Sequence, residues 1–259
     1  MSRSVYALCI RRVEFKLILV MLILLSHVSP ASAEESVAPE MRPEDAWTFV
    51  LLPYAWLPTN DLTIGTASYL QSEFTSIEDA LGQFDYGGLL FFEAHRKRFA
   101  FYADAMYVRL SNQSHSNGLA VHSDIRQAMI EAAGVRQFRG ERHGLDLLAG
   151  FRYFHLNSDV EVQIAGRFRD TFHWVEPLVG VRHQMQLAKK WRYDWRLDFG
   201  GFGAGSRLTW QFATNLHYDL SNRYAINVGY RHVDIDYRDD SRRYDSTLSG
   251  PMLGVSFKF

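Results

Sequence analysis

From Trp47 onward the chain is written largely in period two. Successive side chains of a β-strand point to opposite faces, so alternating runs predict two-faced strands. Asp146 to His155 is the clearest: Leu147, Ala149, Phe151 and Tyr153 share one face, Gly150 and Arg152 the other. Glu176 to Gln186 sets Val179 and Val181 against Glu176, Gly180, Arg182, Gln184 and Gln186. Arg192 to Gly200 sets Tyr193, Trp195, Leu197 and Phe199 against Arg192, Asp194, Arg196 and Asp198. Thr209 to Asp219 sets Trp210, Phe212, Leu216 and Tyr218 against Gln211, Asn215 and His217. Ile226, Val228 and Tyr230 oppose Asn227, Gly229 and Arg231. A single run of this kind suits a half-buried strand of a soluble sheet. A succession of them, each with a lipid-compatible face, does not.

The links between the runs alternate as well. His95 to Arg98, Arg139 to Gly144, Leu187 to Lys190 and Asp219 to Arg223 are short and polar. Leu57 to Phe84, Ser111 to His122, Asn157 to Asp170, Gly203 to Arg207 and Tyr237 to Ser246 are longer or more irregular. In a bilayer every backbone group must be paired within the protein, and a closed sheet does this between strands. The expected fold is therefore all-β: a single antiparallel transmembrane β-barrel over residues 46–259, of about ten strands. They begin near Trp47, Tyr86, Phe99, Ser123, Gly144, Thr171, Trp191, Leu208, Tyr224 and Asp245. Short turns then face the periplasm and long loops the outside. The first link leaves the count open to eight or twelve, because Leu62 to Tyr69 reads as an extra strand and Ser76 to Gly82 as a short helix.

The N-terminus supplies the compartment. Arg3, Arg11, Arg12 and Lys16 precede the apolar run Leu17 to Leu25, and Ala31-Ser32-Ala33 follows. That order predicts a secretory signal peptide over residues 1–33, cleaved after Ala33, and not a membrane span, which needs about twenty apolar residues. Residues 34–45 are then a polar periplasmic leader. The only cysteine, Cys9, leaves with the signal, so no thiol metal site and no cofactor is expected. After cleavage 24 basic residues face 28 acidic ones, which gives no reason to expect nucleic acid as a partner. The bacterial outer membrane is the expected location.

The last strand sets Leu253, Val255, Phe257 and Phe259 on one face, with Gly254, Ser256 and Lys258 on the other. This resembles the C-terminal signal of bacterial outer-membrane proteins, which implies recognition by the barrel-assembly machinery. The mature chain also resembles poorly characterised proteobacterial outer-membrane proteins of the OmpW/OmpA-like small-barrel type. The carrying segments are Pro53 to Pro58, Phe91 to Arg98, Leu147 to Phe154, Glu176 to His183, Gly200 to Trp210, Val228 to Tyr237 and Ser249 to Gly254. The resemblance implies a fold and a location, with outer-membrane lipid and lipopolysaccharide as surroundings. It brings no catalytic residues.

Candidate chemistry centres on a repeated Gly-x-Arg, at Gly134 to Arg136, Gly150 to Arg152, Gly180 to Arg182 and Gly229 to Arg231. Arginine offers five donors to carboxylates, and glycine leaves room beside it. The predicted lumen network is Glu93, Asp104, Arg152, Glu176, Arg182, Arg196, Asp198 and Arg231, with Asp194 a further candidate partner. Glu131 is less certain, because its parity disagrees with Gly134 and Arg136. Two readings stay open: ion pairs that fill a narrow barrel, or a charged constriction that selects small solutes. The near balance of charge and the limited room favour the first. The function expected is that of a structural barrel or narrow channel, not an enzyme.

Two weaker motifs carry an alternative, a lipid- or peptide-acting hydrolase. His115 to Gly118 resembles the H-x-S-N-G motif of outer-membrane phospholipase, but His115 and Ser116 are adjacent and an extended chain points them apart. His232, Asp234 and Asp236 share parity, with Asp239 and Asp240 nearby, at a rim where omptin-like proteases use such residues. A surface receptor or adhesin using the long first loop is a third reading.

Overall fold

The computed structural model describes residues 46–66, 69–116, 119–162, 166–239 and 242–259. The expected signal segment, its cleavage point and the leader lie outside them. The elements are β1 (Thr48–Trp56), β2 (Thr59–Thr66), β3 (Tyr69–Thr75), α1 (Ile77–Gln83), β4 (Phe84–Arg96), β5 (Phe99–Ser116) and β6 (Leu119–Arg139). They continue as β7 (His143–Val162), β8 (Gly166–Ala188), β9 (Trp191–Gly201), β10 (Leu208–Asp219), β11 (Tyr224–Arg238) and β12 (Arg243–Lys258). All pairings are antiparallel between hydrogen-bonded neighbours. The order β1, β4, then β5 to β12 returns to β1, which closes a ring of ten strands. Closure runs from Val50↔Lys258 to Trp56↔Met252. Beyond Trp56 the rest of β12 pairs with β2, from Ser249↔Thr59 to Arg243↔Gly65, and β3 adds to β2.

Both ends of the barrel chain lie together: Phe49 and Phe259 exchange backbone bonds of 2.8 and 3.0 Å. This end, here proximal, carries the short links after β4, β6, β8 and β10. Two residues suffice after β4 because Lys97 adopts a left-handed turn conformation, φ 54°. The distal end carries the long hairpins.

The first link, expected as a loop with an optional strand and helix, is the β2–β3 hairpin followed by α1, whose N-terminus Ser76 caps by accepting from the Asp79 amide at 3.1 Å. The links Ser111 to His122 and Asn157 to Asp170, expected as loops, are instead ladder. The β5–β6 register continues to Ser116↔Leu119 and the β7–β8 register to Val162↔Gly166. The physical reason is that these strands run past the membrane. Beyond it the outer face no longer meets lipid, so the apolar half of the alternation disappears from the sequence while polar cross-strand pairs still support the ladder.

The outer wall of β5 to β8 shows the change of medium row by row. Phe99, Arg136, Leu147 and Val181 lie level, as do Phe101, Gly134, Ala149 and Val179, then Ala103, Ala132, Phe151 and Pro177. Ala105, Ile130, Tyr153 and Val175 follow, then Tyr107, Ala128, His155 and His173. From Phe99 to Tyr107 this is nine residues of β5, the length a tilted strand needs to cross a bilayer. The exposed large side chains here include Phe151 at 64 % and Val175 at 56 %, as lipid contact demands.

The interior is not uniformly polar. Towards the distal end Trp56, Met106, Met129, Phe154, Phe172, Trp174, Val233 and Tyr244 form a buried cluster inside the ring. Trp174 lies 4.8 Å from Phe154 and 4.4 Å from Tyr237, ring to ring. A smaller cluster of Ala100, Tyr102, Ala133, Val135, Leu148 and Leu178 covers the wall of β5 to β8 nearer the proximal end.

Candidate functional site

Polar side chains bridge the lumen beside these two apolar surfaces. At the centre Glu131 of β6 accepts from three arginines: Arg152 Nε at 2.9 Å, Arg231 Nη2 at 3.2 Å and Arg196 Nη2 at 2.5 Å. Arg152 reaches on to Glu176 at 3.3 Å and to Asp198. Arg196 holds the other oxygen of Asp198 at 2.8 Å. Arg231 also donates to Asp104 at 3.0 Å, to the Tyr54 hydroxyl at 2.9 Å and to Gln211 at 2.8 Å, while Tyr54 donates to Asp104 at 2.8 Å. Glu131, Arg152, Glu176 and Asp198 are all 0 % exposed.

Strand order carries this layer from wall to wall. In the ring β6 and β11 stand diametrically opposite. The Arg231–Glu131 contact therefore spans the full width of the barrel with two side chains. A second bridge lies nearer the proximal end, where Arg182 of β8 grips Glu93 of β4 at 2.5 and 3.1 Å and Asp146 at 2.8 Å. Arg139 also holds Asp146, at 2.5 Å. Proximal to the central layer the lumen opens into a cavity of about 1080 Å³, lined among others by Glu93, Arg182, Asp194, Arg196, His217 and Arg231. In its wall Asp194 pairs with His217 and accepts from Asn215 at 3.2 Å.

All eight residues predicted for the lumen network face the lumen, and the structure joins them into these two groups. Glu131, set aside on parity, is the hub. Its strand turns odd positions inward, Met129, Ala133, Val135 and Gln137 among them. Arg136 lies on the lipid face with its guanidinium 4.4 Å from the Phe99 ring. The Gly-x-Arg of β6 thus belongs to the opposite face from its three namesakes. Parity misled because the inner wall here is apolar, so both faces of β6 carry similar residues.

The glycines also serve differently from expected. A Cβ on Gly150 would lie 2.0 Å from the Ala132 carbonyl oxygen. Its bareness admits the neighbouring strand, not the arginine beside it. Ser206 escaped the sequence reading altogether. The loop after β9 folds back into the barrel, and Ser206 is fully buried with its hydroxyl bonded to Glu176. Gly205 makes this path available: its φ is +87°, and a Cβ would sit 2.6 Å from the Val175 carbonyl oxygen. Thr209 at 3.1 Å and the Trp174 indole N–H at 3.2 Å complete the shell around Glu176. A buried serine in a glycine-rich loop carries no periodicity that would announce it.

The candidate catalytic residues lie elsewhere. His232, Asp234 and Asp236 share a face as expected, and that face is the outer one, since Arg231, Val233 and Ile235 point inward. Each meets a different neighbour: His232 the Ser249 hydroxyl at 2.5 Å and the Trp210 ring at 4.4 Å, Asp234 the Thr247 hydroxyl at 2.8 Å, and Asp236 Arg238 at 3.0 Å. Among the described residues no group of three or more histidines and carboxylates is placed to hold a metal ion. His115 and Ser116 end β5, paired with Ala120 and Leu119, while Asn117, Gly118 and Asp240 lie outside the described residues. Leu253, Val255 and Phe257 sit on the lipid side of β12, level with Val228, Ile226 and Tyr224. Phe259 stacks on Phe49 at 5.9 Å.

No family model matches the chain, and no curated protein matches its sequence. Among solved structures it is similar to the outer membrane protease OmpT from Escherichia coli, with TM-score 0.48 and 8 % identity over 87 % of this chain and 99 % of that one. It is also similar to Ail, the attachment invasion locus protein of Yersinia pestis, with TM-score 0.36 and 9 % identity over 83 % and 99 %. The Neisserial surface protein A is similar at TM-score 0.34 and 12 % identity, over 83 % of this chain and 100 % of that one. The fold itself is established by strand order and register: a closed, antiparallel, membrane-type β-barrel of ten strands with a two-stranded extension.

Proposed function

We propose that the chain is a plugged outer-membrane barrel, a structural membrane protein with a periplasm-facing vestibule and no standing aqueous path across the membrane. The observation that carries this reading is the Arg231–Glu131 bridge between opposite walls, at zero exposure of the glutamate. Charges buried this far from water persist only when paired, and here each guanidinium of the layer meets carboxylates. The aromatic cluster distal to the bridge supports the same reading, since it fills the lumen where solute would leave. Reconstitution in planar bilayers is the test. Wild-type protein is expected to give no steady conductance. A stable open level with the native sequence would refute the plug.

A second reading, a gated channel for small solutes, draws support from the cavity of about 1080 Å³ that leads up to the bridge. It requires the layer to part. An E131A/R231A variant, with both sides of the central bridge removed, would then conduct under voltage while wild type does so only in brief openings. Silence from both proteins excludes the gate.

A further inference from the structure

Directly distal to the lipid-facing band, the outer wall of β5 to β8 changes from aromatic to cationic. The next row is Arg109, Arg126, Asn157 and Thr171, and above it stand Ser111, Asp124, Asp159 and Arg169, with Arg167 one step further on β8. Two aspartates tie four arginines together. Asp124 accepts from Arg109 Nε at 3.1 Å and from Arg126 Nε at 3.2 Å. Asp159 accepts from Arg167 Nε at 2.6 Å and from Arg169 Nη2 at 2.9 Å. Hydrogen bonds from Arg167 and then Arg169 hold the Asp159 carboxyl well below the usual carboxylate range. Asp85 lies 3.5 Å from Arg109, and Glu161 stands opposite Arg167 in the ladder, so the four arginines are balanced by four carboxylates and the site depends on which groups are open.

The two bridging aspartates are covered and three of the four guanidiniums are open, while Arg109 is 28 % exposed beside Asp85 at 43 %. Side-chain exposure is 12 % for Asp124 and 13 % for Asp159, against 49 % for Arg126, 58 % for Arg167 and 60 % for Arg169. Each guanidinium has five N–H donors. The aspartates occupy one or two on each, which fixes the forks and leaves donors facing outward. Planar forks of this kind suit phosphate oxygens. Their height selects the source. The row sits one step beyond Tyr107, His155 and His173, where the headgroups of a bilayer begin. Beneath it Ala103, Ala105, Ala128 and Ala132 alternate with the exposed Tyr107, Ile130 and Phe151, an apolar wall for chains descending from a bound headgroup.

We infer that Arg109, Arg126, Arg167 and Arg169 form a site for the phosphates of a phosphorylated glycolipid of the outer leaflet. This site rests on the outer-membrane reading above and not on the state of the lumen.

The test uses the full barrel in detergent, with diphosphoryl lipid A, dephosphorylated lipid A and inorganic phosphate as probes and native mass spectrometry as the readout. Diphosphoryl lipid A is expected to bind at least about tenfold more tightly than the dephosphorylated form, the value of one charge-assisted hydrogen bond. R126Q/R169Q is expected to lose about tenfold or more with the folded band on unheated gels unchanged. D159N, which frees Arg167 and Arg169, is expected to bind as tightly as wild type or more so. Equal affinity for the two lipid forms, unchanged binding by R126Q/R169Q, or a loss in D159N matching that of R126Q/R169Q overturns the site. Displacement of lipid A by millimolar inorganic phosphate overturns its assignment to a lipid. Should R126Q/R169Q fail to assemble, the single variants R126Q and R169Q at these exposed positions carry the same comparison.

Discussion

Replacing Arg152 by methionine asks directly whether the lumen is dry. The layer holds three arginines, Arg152, Arg196 and Arg231, against four carboxylates, Glu131, Glu176, Asp198 and Asp104. R152M leaves two cations for four anions. None of the carboxylates is stranded outright: Glu131 keeps Arg196 and Arg231, Asp198 keeps Arg196 and Gln211, and Glu176 keeps Ser206, Thr209 and Trp174. The expected loss is therefore at the lower end of the range for breaking a buried pair, about 3 kcal/mol. E131Q removes the excess negative charge but turns an amide toward three guanidiniums, and about 2–3 kcal/mol is expected from lost charge-assisted bonds. The double variant R152M/E131Q restores a count of two against three, so its loss should fall short of the sum by about 1–3 kcal/mol. Urea unfolding in lipid vesicles, followed by tryptophan fluorescence and by the folded band on unheated gels, measures all three. If the lumen were an aqueous pore, the same pairs would be worth about 0–1 kcal/mol, as at a wetted surface. A loss below about 1 kcal/mol for R152M, with additivity in the double variant, would refute the plug.

Three further outcomes follow from particular contacts. Arg136, the namesake of Arg152 that faces lipid against Phe99, should cost only about 0.5–1 kcal/mol as R136Q in the same unfolding assay. G205A forces a side chain onto a left-handed residue packed against Val175 and should lose about 1–3 kcal/mol; S206A, which removes the hydroxyl's bonds to Glu176 and Thr209, should lose about 1–2 kcal/mol and leave the fold of the loop intact by spectroscopy. F259A is expected to lower the fraction of newly made chain that reaches the folded band in cells, while barrel already assembled unfolds at nearly the wild-type urea concentration because its stack on Phe49 is a terminal contact. Normal assembly kinetics in F259A would remove the signal role and leave the barrel assignment standing.

Period two was enough to read the membrane-crossing part of this chain. Where lipid lies on one side and a polar lumen on the other, the two media impose opposite residue types at successive positions, and β7, β9, β10 and β11 announce themselves. The lumen-facing charges could be read for the same reason, down to Arg152, Arg182, Arg196 and Arg231. What the sequence could not supply was anything decided where the two faces meet similar surroundings. Beyond the membrane the outer face of β5 to β8 no longer meets lipid and turns polar, so ladder looked like loop. Along β6 both faces are apolar, so Glu131 looked misplaced until register set it opposite Arg231. The placement of Ser206 on Glu176 and the four outer arginines around two aspartates depend on neighbours far apart in the chain. Alternation along one strand specifies which medium a residue meets. Only closure of the ring specifies which residue it meets, because the partner is chosen by register and by the diameter of the barrel.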